Sequence, residues 1–117
     1  MNPDVVIYHN PACGTSRNTL ALLRDKGLDP TVVEYLKTGW TREQLERLLA
    51  RMGVPAREIL RERGTNAAEL GLTDPAASDA AIIAAMVIDP ILVNRPIVET
   101  PKGAALCRPA DLALTLI

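Results

Sequence analysis

The spacing of apolar positions changes several times along the chain, and each change predicts an element. Val5-Val6-Ile7-Tyr8 is a continuous apolar run, the mark of a buried strand. Residues 18–26 carry apolar side chains at helical spacing, and Gly27 supplies the stop, so a helix is predicted there. Thr31-Val32-Val33-Glu34-Tyr35-Leu36 is β-branched and alternating, which predicts a second strand. A helical connection makes the two strands parallel, with a right-handed crossover. Lys37-Thr38-Gly39-Trp40 reads as a loop. Thr41 is a predicted N-cap, with Gln44 completing a capping box. Leu45, Leu48, Leu49 and Met52 form one apolar helix face, ended by Gly53.

Weaker signals follow. Pro55 opens a short predicted helix through Ile59, Leu60 and Arg61, ending near Gly64. A further turn over 66–70 closes at Gly71, and Asp74-Pro75-Ala76-Ala77 reads as a linker. Ser78 caps a helix over 79–88, with Ile82, Ile83, Met86 and Val87 facing inward, and Asp89-Pro90 ends it. Strand three is predicted at 97–100 and strand four at 104–107, joined by the hairpin turn Pro101-Lys102-Gly103. Arg108-Pro109 opens a last helix, with Leu112 and Leu116 spaced to pack down. The order βαβ, helices, ββα predicts an α/β fold: a four-stranded mixed sheet with a helical insertion between strands two and three. At 117 residues the chain is expected to form one domain over 1–117, with the insertion at about 41–89.

Composition narrows the function. The chain is 48% hydrophobic with no Phe and one Trp, so its core is aliphatic. A net charge of -1 argues against a nucleic-acid partner, which selects for basic excess. The best apolar run, residues 80–87, is far shorter than the roughly 20 residues of a membrane span. Met1-Asn2-Pro3-Asp4 lacks the basic region of a signal peptide. Two cysteines, Cys13 and Cys107, are fewer than a secreted disulfide scaffold uses, so both are expected as free thiols in a reducing cytoplasm.

Cys13 falls where a strand gives way to a helix. Unpaired N–H groups at the start of the helix and the positive end of its dipole favour thiolate there and form an anion site, with Gly14 and Thr15 as candidate substrate-binding residues. The thiolate is the reactive form, so Cys13 is a candidate nucleophile. His9, the one histidine, lies four residues upstream; a protonated imidazole would lower the thiol pKa further, whereas a strand-end ring in solvent would not. Ser16 is a candidate donor to the thiolate, or merely a cap of the first turn. A dithiol redox motif is absent, because position 16 is Ser; a cysteine-phosphatase loop is absent, because Arg17 comes too early and Thr19 stands where its arginine belongs. Nor is there a Gly-rich phosphate loop. A single thiol in this loop implies that the second comes from elsewhere. Arg95 and Arg108 each precede a proline, which holds their backbones extended, and guanidinium forks bind oxyanions. Arg61 is a third candidate, which pattern alone does not separate from Arg57 or Arg63. Pro96 is a candidate for a cis bond. Cys107 reads as core, with a resolving thiol as the alternative.

His9-Asn10-Pro11-Ala12-Cys13-Gly14-Thr15-Ser16-Arg17-Asn18-Thr19-Leu20 resembles the active-site loop of the glutathione- and glutaredoxin-dependent arsenate reductases. The resemblance continues through Glu58-Ile59-Leu60-Arg61, Pro90-Ile91-Leu92-Val93-Asn94-Arg95-Pro96-Ile97-Val98, Thr100-Pro101-Lys102-Gly103 and Leu106-Cys107-Arg108-Pro109. It implies a thioredoxin-like fold with a helical insertion. It also implies Cys13 as nucleophile, His9 and Ser16 as supports of the thiolate, and Arg61, Arg95 and Arg108 as arsenate ligands. Pro96 matches the family's cis-proline. No bound cofactor or metal is implied; glutathione is a co-substrate, and arsenate, glutathione and glutaredoxin are the expected partners. Two other readings are a thiol oxidoreductase of the same fold with another substrate, and a redox-sensing regulator that binds RNA polymerase. Against the latter, Ser16 stands where such regulators carry a second cysteine.

Overall fold

The computed structural model describes residues 2–117, and side chains from Asp4 onward. The chain divides into two compact units: the segment ending at Thr38 together with Arg95–Ile117, and Gly39–Asn94.

The first unit is built on four strands, β1 (Asn2–His9), β2 (Pro30–Glu34), β3 (Ile97–Thr100) and β4 (Gly103–Leu106), in the order β2-β1-β3-β4. β1 and β2 are parallel, joined by helix α1 (Gly14–Asp25), while β3 lies antiparallel to both β1 and β4. This is the mixed sheet the hydrophobic pattern predicts. Its central strands are the most buried, and every residue of β3 is buried. Val5, Ile7, Leu23, Val98, Cys107, Ala113 and Leu116 form one cluster under the sheet.

Three boundaries differ from expectation. α1 begins at Gly14, not residue 18. Its buried face is Ser16, Thr19 and Leu23, so two of its three inward positions are polar and carry no hydrophobic signal. β2 ends at Glu34, and Tyr35–Thr38 turns into a short helix, α2. Glu34 pairs with His9, the last residue of β1, so an edge strand has no neighbour to follow beyond it. β4 ends at Leu106, one residue before Cys107. The last helix is a 3₁₀ segment, Ala110–Leu116; Leu116 packs down as expected, but Ala113 occupies the other inward position and Leu112 is exposed. Three residues per turn put i and i+3 on one face, which favours 113 with 116.

The second unit holds α3 (Arg42–Met52), a 3₁₀ turn (Ala56–Ile59), α4 (Asp79–Ile88) and a second 3₁₀ turn (Pro90–Leu92). Thr41 and Gln44 form the full capping box, and Gly53 takes the left-handed conformation that ends α3. Leu45, Leu48 and Leu49 are buried on α3, and Ile82, Ile83 and Met86 on α4, with Ser78 as N-cap. Val87, expected inward, is exposed. The predicted helix through Arg61 stops at Ile59, because Leu60 leaves it to bridge Val93 in an isolated antiparallel pair. Among the described residues, no helix is long and apolar enough to cross a membrane.

Candidate active site

β1 ends at His9, and the loop to α1 is closed by its own backbone. The Cys13 N–H donates to the Asn10 carbonyl at 3.0 Å, and the Ala12 N–H donates to Asn10 Oδ1 at 3.0 Å. Asn10 is buried, and Asn followed by Pro is a turn signal. This turn sets Cys13 as the N-cap of α1, with an extended backbone and no side-chain cap bond. The sulfur is therefore left beside the helix's open N–H groups. Those of Gly14 and Thr15 have no acceptor among the described residues.

Cys13 is a free, half-buried thiol. Burial works against its ionisation, but the Ser16 backbone N–H and the guanidinium groups of Arg95 and Arg108 outweigh it. Together they lower the thiol pKa from 9.0 to about 7. Arg108 Nη1 lies 3.6 Å from Cys13 Sγ, and the same nitrogen donates to the Arg95 carbonyl at 3.0 Å. The two arginines flank the open end of the β3–β4 hairpin, and both Arg95-Pro96 and Arg108-Pro109 are cis peptides; only the first was anticipated from the sequence.

Ser16 supports the sulfur differently from the expectation. Its hydroxyl is turned away, 2.6 Å from His9 Nδ1, and accepts the Asn10 N–H at 3.1 Å; its backbone N–H faces Cys13. His9 is buried, which excludes the ring in solvent. Burial also lowers the His9 pKa from 6.5, against the pull of Glu34, and the charges of Arg24 and Arg17 lower it further. That direction disfavours the protonated ring expected to act on Cys13, and His9 reaches the loop through its contact with Ser16. The Ser16 hydroxyl thus links the His9 ring to the Asn10 backbone.

Cys107 is fully buried at the end of β4, and burial pushes its thiol up to about 12. Arg61 belongs to the Gly39–Asn94 unit, where its Nε donates to the Arg63 carbonyl at 3.1 Å and its Nη1 to Asn94 Oδ1 at 3.4 Å. Two residues of the loop escaped the sequence reading. Asn10 organises the turn, and Arg17 curls back from α1 so that its Nη1 donates to the Pro11 carbonyl at 2.9 Å. The Asn-Pro pair carried a signal for the first; an exposed helix arginine carries none for the second. Among the described residues, no cluster of three or more His, Cys, Asp or Glu could hold a metal ion.

Residues 8–116 match the ArsC family model. The chain belongs to the ArsC family. An arsenate reductase of Rhizobium meliloti (strain 1021) is 54% identical to this ArsC-family chain over 113 residues, 97% of this chain and 81% of that protein. An arsenate reductase of Escherichia coli (strain K12) is 47% identical over 114 residues, with the same shares covered. The solved structure of an arsenate reductase from Vibrio cholerae superposes with a TM-score of 0.93 at 41% identity, covering all of both chains. The thioredoxin-like mixed sheet expected of the ArsC family is thus the fold of this chain.

Proposed function

We propose that this chain reduces arsenate to arsenite, with Cys13 as nucleophile and glutathione and glutaredoxin as the electron source. The observation that carries the reading is the pairing of an ionisable, half-buried thiol with guanidinium groups: Arg108 stands 3.6 Å from a sulfur whose pKa is about 7, and Arg95 faces the same sulfur. A tetrahedral oxyanion suits that pairing, since guanidinium forks and open N–H groups of Gly14 and Thr15 bind oxygen while the sulfur attacks the central atom. The similar proteins named as arsenate reductases, 54% and 47% identical across 97% of the chain, support the substrate.

In the first step the Cys13 thiolate forms a bond to arsenic and one arsenate oxygen leaves as water. Arg95 and Arg108 carry the anionic charge. Glutathione then condenses on arsenic, its thiol proton leaving with a second oxygen as water. Glutaredoxin attacks the glutathione sulfur, so the S–As bond breaks, its electron pair stays on arsenic, and a mixed disulfide forms. Arsenic is reduced by two electrons, and water releases arsenite and restores Cys13. Cys107 is sealed in the core with its thiol pushed up to about 12, which disfavours it as a resolving thiol and supports an external reductant. A reaction fed by glutathione suits a reducing cytoplasm.

The test is NADPH oxidation with glutathione, glutathione reductase, glutaredoxin and arsenate, beside Cys13→Ser and beside a thioredoxin system. Oxidation is expected only with arsenate, glutaredoxin and Cys13 together. Full activity in Cys13→Ser removes the nucleophile, and activity with thioredoxin alone removes the glutathione route.

A further inference from the structure

Arg17 is an unexpected residue at its position. It lies in the first turn of α1, where a cation opposes the helix dipole and where no acidic residue stands to offset it. Its side chain is exposed, yet it does not extend into solvent: Nη1 donates to the Pro11 carbonyl at 2.9 Å. Nη2 lies 3.7 Å from the place a Cβ on Gly14 would take. The guanidinium thus lies along the loop from two residues before Cys13 to the one just after it. No carboxylate among the described residues pairs with it, and one of its five N–H donors is used. Arg95 and Arg108 already face the sulfur, so a third guanidinium on the solvent side of the loop addresses something that arrives later.

We propose that Arg17 docks a carboxylate of the small anionic thiol that attacks at Cys13. The proposal rests on the reaction above, in which a second thiol must reach the group held on Cys13 sulfur; a peptide thiol bearing carboxylates fits a fork anchored at one corner and open at the others. Arg17 is a specificity-determining residue for the thiol, distinct from the arginines that meet the oxyanion.

The experiment uses thiol exchange, which needs no arsenate. Cys13 is first converted with 4,4′-dithiodipyridine to its pyridyl disulfide. An incoming thiolate then bonds to the Cys13 sulfur, and the pyridyl S–S bond breaks to release 4-thiopyridone, which is followed by absorbance. The probes are glutathione and its neutral-carboxyl diethyl ester. Arg17→Ala is expected to slow glutathione by about two- to fivefold, the scale of an exposed ion pair, and to leave the ester unchanged. Arg17→Lys, which keeps the charge and is the milder change to the loop, is expected to retain most of the preference for glutathione. Equal slowing of both probes shows that Arg17 only braces Pro11 and overturns the proposal, as does no slowing of either. Charge discrimination in a protein that shows no arsenate turnover keeps the role of Arg17 and refutes the reaction proposed above.

Discussion

Removing Arg95 and Arg108 together (Arg95→Ala with Arg108→Ala) leaves the Ser16 amide as the remaining support of the Cys13 thiolate against partial burial. With its pKa at about 7, about half of Cys13 is thiolate at pH 7. At the ordinary value of 9.0, about one part in a hundred is. A full return to that value therefore cuts the thiolate fraction by about 50-fold. The rate falls less, because a more basic sulfur is the better nucleophile. A Brønsted slope of about 0.4–0.5 over this interval returns about six- to tenfold. The expected loss at pH 7 is thus about five- to eightfold, and above about pH 8 the order inverts and the double variant reacts faster. The assay is the pH profile of the reaction with 4,4′-dithiodipyridine, a neutral probe that does not itself respond to lost positive charge. Circular dichroism checks that the fold persists. A profile that overlays the parent's at every pH refutes the assignment of these arginines to the thiolate. A uniform drop at every pH, without crossing, shows loss of access instead of a change in ionisation.

Two further outcomes test the core and the helical unit. Cys107→Ala is expected to cost about 1 kcal/mol of stability and to spare arsenate turnover, with the folded parent releasing a single equivalent of 4-thiopyridone; lost turnover in a folded variant makes Cys107 a resolving thiol. Thr41→Ala removes the bond from the Gln44 N–H, 3.1 Å long, and is expected to cost about 0.5–2 kcal/mol, read as a lower urea midpoint at unchanged slope; an unmoved midpoint means the α3 cap contributes nothing.

The sheet was legible in the sequence because its strands are short apolar runs whose order admits few topologies. So was the Thr41–Gln44 capping box, a purely local device. The start of α1 was not legible, since Ser16 and Thr19 occupy inward positions that hydrophobic periodicity assigns to apolar residues. β2 was read too long because Tyr35 continues the alternation, and the absence of a neighbour beyond Glu34 is a tertiary fact. The site divides in the same way. Cys13 was visible from its place between strand and helix, and Arg95 and Arg108 from the prolines after them. The direction of the Ser16 hydroxyl depends on how the end of β1 presents His9 and Asn10 to it, a geometry that spacing does not encode.

The sealing of Cys107 also bears on how the molecule ages under oxidants. Peroxide acts on thiolate, so Cys13 is the position attacked, and the first product is a sulfenic acid. A chain with a second accessible thiol would trap that product as an internal disulfide and wait for repair. Here the buried Cys107 cannot do so, and a disulfide that protects the sulfenate from the irreversible sulfinic stage must come from a thiol in solution. The survival of the reactive sulfur is therefore tied to the surrounding thiol pool, and a depleted pool costs the cell the protein as well as its reductant.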